Sequence, residues 1–169
     1  MNSSTKIALI IVFVASVISG CIPVKVESEK DSNFQDKISS IVLLHDKEVP
    51  GSFLGMKGKI EKIVDLIKSD LESRSIQTAL VVKETTTMNV NNKITNQMRA
   101  IDTDYVLLIR TPRVTTSYYA NSFTLKVSIY DAKNKQEVWK SSTKFTFEHS
   151  STENAAESIV QKMYTDGVI

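Results

Sequence analysis

Two histidines are the side chains of this 169-residue sequence best suited to transfer protons near neutral pH. His45 is followed by Asp46 at the end of a predicted strand, and His149 follows the last predicted strand. A serine hydrolase needs serine, histidine and an acid in contact, and the sequence has no G-x-S-x-G turn to present the serine. Histidines at exposed strand ends are usually structural. We therefore expect no catalytic residues and no enzymatic activity.

Metal and nucleotide sites are not favoured by the remaining polar residues. Zinc sites need several cysteines or histidines at close spacing, and Cys21 is the single cysteine. Asp102-Thr103-Asp104 lacks the downstream glycine and glutamate of a calcium loop and is more typical of a helix end followed by a turn. The glycine-containing segment Gly51–Lys59 lacks the GK[ST] of a phosphate loop. The sequence predicts neither a metal nor a cofactor.

The position of Cys21 gives its thiol a different chemistry. Lys6 precedes an apolar run, Ile7–Ile18, in which Ser16 is the one polar residue. As a helix this run rises about 18 Å, whereas the hydrocarbon core of a bilayer is roughly 30 Å thick. The alternative, a permanent membrane span, would have to continue through Pro23 and Lys25. The run is therefore typical of the apolar region of a signal peptide.

The residues after the apolar run sharpen this prediction. Ile18-Ser19-Gly20-Cys21 resembles the bacterial lipobox, in which an aliphatic residue and two small residues precede cysteine. The resemblance implies a diacylglycerol thioether at Cys21, cleavage after Gly20 and fatty acylation, for example with palmitate, of the new amino group. Several acyl chains would hold the protein firmly to a membrane. Ile22, where an aspartate often causes inner-membrane retention, favours the periplasmic face of the outer membrane.

Composition indicates one globular domain after the signal. Residues 21–169 are enough for one core, and 41% hydrophobic and 24% charged residues are ordinary proportions. A net charge of +2 gives no indication of nucleic-acid binding. The polar segment Val24–Lys37 predicts a tether between the lipid and the domain. Such a tether either lets the domain reach a partner or is only a spacer. The predicted organisation is a signal peptide over 1–20, an acylated cysteine and tether over 21–37, and a single α/β domain over 38–169.

Periodicity within the domain predicts alternating strands and helices. Period-two or continuous apolar stretches predict five strands, and apolar residues at helical spacing predict three helices, the last capped by Ser151 or Thr152. The strands are expected at 41–44, 76–83, 105–109, 123–130 and 139–147, and the helices at 60–71, 94–101 and 155–163. The order β-α-β-α-β-β-β-α indicates an α+β fold with a single mixed β-sheet of about five strands and helices mainly on one face.

Short motifs in this domain resemble those of small envelope lipoproteins. The segment Asp104–Leu108 has the sequence DYVLL, which contains the motif DYVL. The next hairpin contains YDA at Tyr130–Ala132 and VW at Val138–Trp139. This pattern is similar to that of the TolB N-terminal domain and CsgG-like lipoproteins. The resemblance implies an accessory, assembly or secretion role and identifies no binding residue.

Two surface segments contain candidate binding residues. Lys57, Lys59 and Lys62 lie where the first long helix is predicted to begin, and helix N-termini favour anions. They predict contact with headgroups, glycan carboxylates or an acidic partner, although an ordinary solvated turn has the same composition. Tyr118 and Tyr119 lie in a long predicted hairpin, where at least one tyrosine would be exposed for partner binding unless both pack on the sheet.

Two functions remain open from the sequence. The first is a non-enzymatic envelope lipoprotein that binds a protein partner or self-associates, because the predicted sheet would retain an open edge. The second is a ligand-binding module for lipid, glycan or peptidoglycan fragments, whose apolar faces would line a groove. Retention of a small molecule would distinguish the second from the first.

Overall fold

A computed structural model describes residues 24–47, 54–84, 87–110, 122–146 and 151–169. The strands are β1 (Val26–Lys30), β2 (Ser40–Asp46), β3 (Gln77–Lys83), β4 (Tyr105–Arg110), β5 (Ser122–Asp131) and β6 (Gln136–Thr146). The helices of the described ranges are α1 (Leu54–Ser73), α2 (Val90–Ala100) and α3 (Thr152–Thr165). One mixed sheet runs in the order β1-β6-β5-β4-β2-β3. The predicted α+β fold is confirmed, with six strands rather than five.

The topology explains where the helices lie. Strand β2 pairs in parallel with both β3 and β4, whereas β4, β5, β6 and β1 pair antiparallel in succession. The crossovers β2-α1-β3 and β3-α2-β4 move in opposite directions across the sheet. Because such crossovers are right-handed, α1 and α2 lie on opposite faces. Helix α3 packs against α1, so two of these three helices share one face. Within the described ranges, no helix is both long and apolar enough to cross a bilayer.

The core fills the space between the sheet and the helices α1 and α3. The predicted apolar stripe of α1 is buried, and alternate residues of the central strands face it. The main contributors are Ile60, Ile63, Ile67, Leu71, Leu43, Leu107, Ile109, Leu125, Val127, Ile159 and Val160. Each such side chain contributes about 1.5–3 kcal/mol relative to exposure, so this face supplies most of the apolar burial. On the α2 face the buried residues are Val42, Val81, Val106 and Leu108.

The segment predicted as a tether contains the sixth strand. Strand β1 pairs along its whole length, from Val26 to Lys30, with residues 139–143 of β6, so the prediction of an unstructured linker over 24–37 is wrong for this stretch. Val24 and Phe34, on either side of β1, are 8% and 5% exposed, and the Phe34 ring meets Tyr105 edge to face at 5.8 Å. The polar composition reflects an edge strand whose outer face meets water, with its apolar contacts placed at its two ends.

Two helix starts were predicted with different success. Helix α1 begins at Leu54, before the predicted start at Ile60, and therefore includes two glycines. Glycine in a helix costs roughly 1 kcal/mol relative to alanine, which favoured a loop in the sequence reading. For α3 the prediction of a cap at Ser151 or Thr152 is confirmed, because the Ser151 hydroxyl accepts a hydrogen bond from the Asn154 amide at 2.9 Å.

Candidate functional site

The carboxyl ends of β2 and β3 carry a network of ion pairs. In α/β sheets, ligands often bind at such ends where the following helices leave on opposite faces. Here Lys83 Nζ lies 3.0 Å from Asp46 Oδ2, and Lys47 Nζ lies 2.8 Å from Glu61 Oε1 and 3.5 Å from Glu84 Oε1. Among the residues with described positions, no group of three metal-ligating side chains could hold a metal ion. The network connects β2, β3 and α1 through ion pairs between two lysines and three carboxylates.

His45 lies beside this network and is 3% exposed, so the expectation of an exposed strand-end histidine is wrong. Burial is the main cause that lowers the pKa of His45 below 6.5, and the positive charge of Lys47 adds to it. The negative charges of Glu61, Asp46 and Asp65 act in the opposite direction. The Nε2 atom has no hydrogen-bond partner among the described residues. The environment therefore favours a neutral imidazole packed under α1.

Asp166, just after α3, is the centre of a second polar cluster. Its Oδ2 atom accepts hydrogen bonds from the Ser28 hydroxyl at 2.6 Å and from Trp139 Nε1 at 2.8 Å, and its Oδ1 atom accepts one from Lys162 Nζ at 2.8 Å. Burial alone would raise the pKa of Asp166, but these three hydrogen bonds outweigh it and lower the pKa. Lys30 Nζ donates to the Gly167 carbonyl at 3.0 Å. The cluster fastens the end of α3 to β1 and β6.

The two edges of the sheet differ in their suitability for pairing with another strand. The β1 edge has five residues and is charged, with ion pairs from Lys25 to Glu27 and from Glu29 to Lys140, each at 2.8 Å. Short, charged edge strands resist pairing. The β3 edge has seven residues, of which four in succession, Ala79–Val82, are apolar. Of the two edges, β3 is therefore the one that favours addition of a strand.

The backbone of β3 offers regularly spaced groups at this edge. Gln77 N–H donates to Ser39 and the Lys83 carbonyl accepts from Lys47, so odd-numbered residues of β3 pair with β2. In a parallel ladder, alternate residues use the same side of the strand. The N–H and C=O groups of Thr78, Leu80 and Val82 therefore point away from β2. No described strand pairs with them.

A groove runs beside this edge under α2. Its volume is about 310 Å³. Its lining residues come from the two elements and are Leu80, Val81, Val82, Lys93, Asn96 and Gln97. An edge strand flanked by a helix resembles the geometry by which peptide-binding domains accept an extended segment as an additional strand. The main chain of such a segment would pair with β3 while its side chains enter the groove.

The structure tests the sequence-predicted site residues to different extents. Lys62 forms an ion pair with Glu153 of α3 at 2.5 Å, which draws the pKa of Glu153 down to about 2, and Lys59 is half-buried. The backbone of Lys57 lies within α1, not in a loop. Contact of these three lysines with an anion stays a prediction. The hairpin tyrosines Tyr118 and Tyr119 lie outside the described residues.

The predicted lipidation and cleavage residues, Cys21 and Gly20, also lie outside the described residues. The β3 edge was missed as a site, although its signal was present in the sequence. The run from Ala79 to Val82 is continuous and apolar, which is typical of a strand covered on both faces. Its position at the edge depends on strand order, which the local pattern does not contain.

No protein-family model and no curated protein matches this chain. Among solved structures, the chain is similar to a PelC dodecamer from Paraburkholderia phytofirmans, with 14% identity and a TM-score of 0.48 over 86% of this chain and 98% of that one. It is also similar to a point variant of that dodecamer, with 13% identity and a TM-score of 0.49 over 86% and 99% of the two chains. This distant likeness assigns neither a family nor a function.

Proposed function

We propose that this protein is a non-enzymatic envelope lipoprotein that binds an extended segment of a protein partner along β3. The difference between the two sheet edges is the observation that carries the proposal. Strand β1 is short and charged, whereas β3 is longer, apolar at its centre and bordered by the groove under α2. The segment that pairs with β3 belongs either to another envelope protein or to a second copy of this chain.

The N-terminal sequence supports the envelope location. Acylation of Cys21 after cleavage at Gly20 would attach the protein to a membrane, and Ile22 favours the periplasmic face of the outer membrane. Intact-mass analysis of the native protein tests this directly. A protein that begins at Cys21 and carries fatty acids supports the assignment, whereas a protein that begins at Met1 with a free thiol contradicts it.

The alternative of a ligand-binding module loses one of its two supports. The apolar faces that would line a groove for lipid or glycan instead form the packed core between the sheet, α1 and α3. Its other support was the lysine segment of α1, in which Lys62 pairs with Glu153. Native mass spectrometry of the purified protein after incubation with envelope extract distinguishes the two functions, because only the ligand-binding module would retain a small molecule.

The partner-binding proposal is tested by blocking the edge without disturbing the sheet. In Val82→Pro the lost N–H is one that points away from β2, and the proline ring obstructs an incoming strand. Val82→Thr keeps the N–H and the β-branched shape and is the matched control. Cells producing each full-length protein are crosslinked, and complexes are purified from membranes.

We expect Val82→Pro to lose the crosslinked complex, whereas Val82→Thr retains it. Circular dichroism of both proteins verifies that the fold is unchanged. Mass spectrometry of the complex then identifies the partner as a second copy or another protein. Equal recovery of the complex with both folded variants, or recovery of monomer alone from the parent protein, would contradict binding along β3.

A further inference from the structure

The position of Val24, the first described residue, places the proposed lipid anchor close to the sheet. Val24 is 8% exposed and belongs to the core, so the chain is already part of the domain at this residue. Two residues separate Cys21 from Val24, and the three chain steps between them can span at most about 11 Å. If Cys21 is acylated, as the proposed function requires, the domain is held against the membrane surface. It does not hang on the long tether that the sequence predicted.

Strand pairing defines which end of the domain faces this anchor. Val26 at the start of β1 pairs with Thr143 near the end of β6, and Ser122 at the start of β5 pairs with Thr146. Strand β5 in turn runs antiparallel to β4, whose last residue is Arg110. The beginnings of β1 and β5 and the ends of β4 and β6 therefore share one end of the sheet. We call this the anchor end.

Three exposed cations lie on the open face of the sheet toward the anchor end. Arg110, Lys126 and Lys144 come from the adjacent strands β4, β5 and β6, and we call them the basic strip. They lie on the face opposite α1 and α3, because Leu125 and Val127 beside Lys126 point into the core. Helix α2, the described helix on this face, packs on β2 and β3 and not on the half of the sheet that carries the strip.

Two carboxylates border the basic strip, but other lysines engage them. Asp46 lies opposite Arg110 across β2 and β4 and pairs with Lys83, and Glu27 lies diagonal to Lys144 and pairs with Lys25. Arg110 lies directly opposite Lys126, and Lys144 is diagonal to Lys126 across β6. Like charges directly opposite each other destabilise a sheet. None of the three makes a salt bridge to a described carboxylate, whereas the neighbouring Lys140 pairs with Glu29 at 2.8 Å. The strip is therefore an arrangement whose repulsion an external anion would relieve.

We infer that the basic strip docks on anionic phospholipid headgroups of the membrane that carries the lipid anchor. The strip spans two strand spacings, about 10 Å, on an open sheet face, so its cations can meet several headgroups at once. Each cation near an anionic surface changes the ratio of docked to undocked domain by about fivefold. The β3 edge, five strand spacings or about 24 Å across the sheet from β1, remains available to a partner.

Spin labelling of the full-length acylated protein in vesicles tests this inference. Cys21 is the single cysteine, so acylation leaves no thiol and an introduced cysteine is labelled alone. Ser142→Cys places a nitroxide directly opposite Lys126, and Ala132→Cys places one at the far end of the β5–β6 hairpin. Exposure to a water-soluble relaxing agent is measured in phosphatidylcholine vesicles and in vesicles of equal parts phosphatidylcholine and phosphatidylglycerol.

We expect the label at position 142 to be protected only in the anionic vesicles, and the label at 132 to stay exposed in both. Lys126→Gln combined with Lys144→Gln should lower the docked-to-undocked ratio about 25-fold. Lys133→Gln combined with Lys135→Gln removes the same net charge from the hairpin turn and should leave the ratio unchanged.

The failure of this inference differs from failure of the proposed function. A parent protein that labels at Cys21 would refute acylation, and the docking inference with it. A parent protein without a reactive thiol, whose label at position 142 is equally exposed in both vesicles, would refute docking alone. Equal protection in both vesicles would refute the role of charge and thereby the inference. Protection that survives the glutamine pair at 126 and 144 would do the same.

Discussion

Replacing Asp166 by alanine should destabilise the domain more than its position in the last turn suggests. Trp139 is 1% exposed, and its indole N–H would lose its acceptor. A buried unpaired donor costs about 1–3 kcal/mol. Loss of the hydrogen bond from Ser28 adds about 1 kcal/mol, and loss of the helical pair with Lys162 adds about 0.3–0.5 kcal/mol. We therefore expect Asp166→Ala to lower the free energy of unfolding by about 2–4 kcal/mol.

Urea denaturation followed by tryptophan fluorescence measures this loss of unfolding free energy with a probe inside the cluster itself. Trp139 is the single tryptophan of the chain, so its emission reports both unfolding and the loss of the hydrogen bond. Asp166→Asn keeps one oxygen acceptor and should cost about 1 kcal/mol, and Lys162→Met should cost about 0.5 kcal/mol or less. If Asp166→Ala unfolds within about 0.5 kcal/mol of the parent protein with unchanged emission, the cluster does not hold β1 and α3 together.

The same carboxylate gives the stability a defined pH dependence. The pKa of Asp166 is lowered on folding below the ordinary 3.8, although burial opposes the shift, because three groups donate hydrogen bonds to the charged form. Its contribution is therefore complete above the unfolded value and is lost as the pH falls through the lower, folded value. Urea titrations at acidic pH should show this loss in the parent protein and a smaller one in Asp166→Asn. Equal acid sensitivity in both proteins would contradict the assignment.

Two further predictions concern buried polar groups. The lowered pKa of His45 means that the unfolded chain binds a proton which the folded chain does not, so stability should fall as the pH drops below 6.5. His45→Gln should flatten this dependence between about pH 7 and pH 5 in urea denaturation, and an unchanged slope would contradict it. Thr143 is fully buried and its hydroxyl has no partner among the described residues. Thr143→Val should therefore raise the free energy of unfolding by about 1 kcal/mol, and a decrease would show that the hydroxyl is satisfied.

Local patterns predicted most of the fold. The stripe from Ile60 to Leu71 and the period-two residues of β5 each bury one face, so their periodicity directly reflects the core. Ser151 was a predictable cap because its hydroxyl satisfies an amide only three residues away. Elements whose burial follows from their own spacing can be identified without knowledge of their neighbours.

Features that depend on distant partners could not be predicted. Strand β1 has a charged, exposed face, and its inner face is completed by the hydrogen bond between Ser28 and Asp166, 138 residues away. His45 was expected at an exposed strand end, but α1 packs over it. The β3 edge and the basic strip both arise from strand order and register, because residues far apart in the sequence become neighbours only in the sheet.

The hydrogen bonds that fasten β1 to the turn after α3 affect the order in which parts of the protein can fold. Ribosomes make the chain from its N-terminus, so β1 is made before Asp166, which lies 138 residues after Ser28. Closing so long a loop is slow, and non-local strand pairing delays folding further. Strand β1 would thus stay unfastened until the residues around Asp166 are available to it. A product truncated within its final residues would lack the fastening and be exposed to proteolysis.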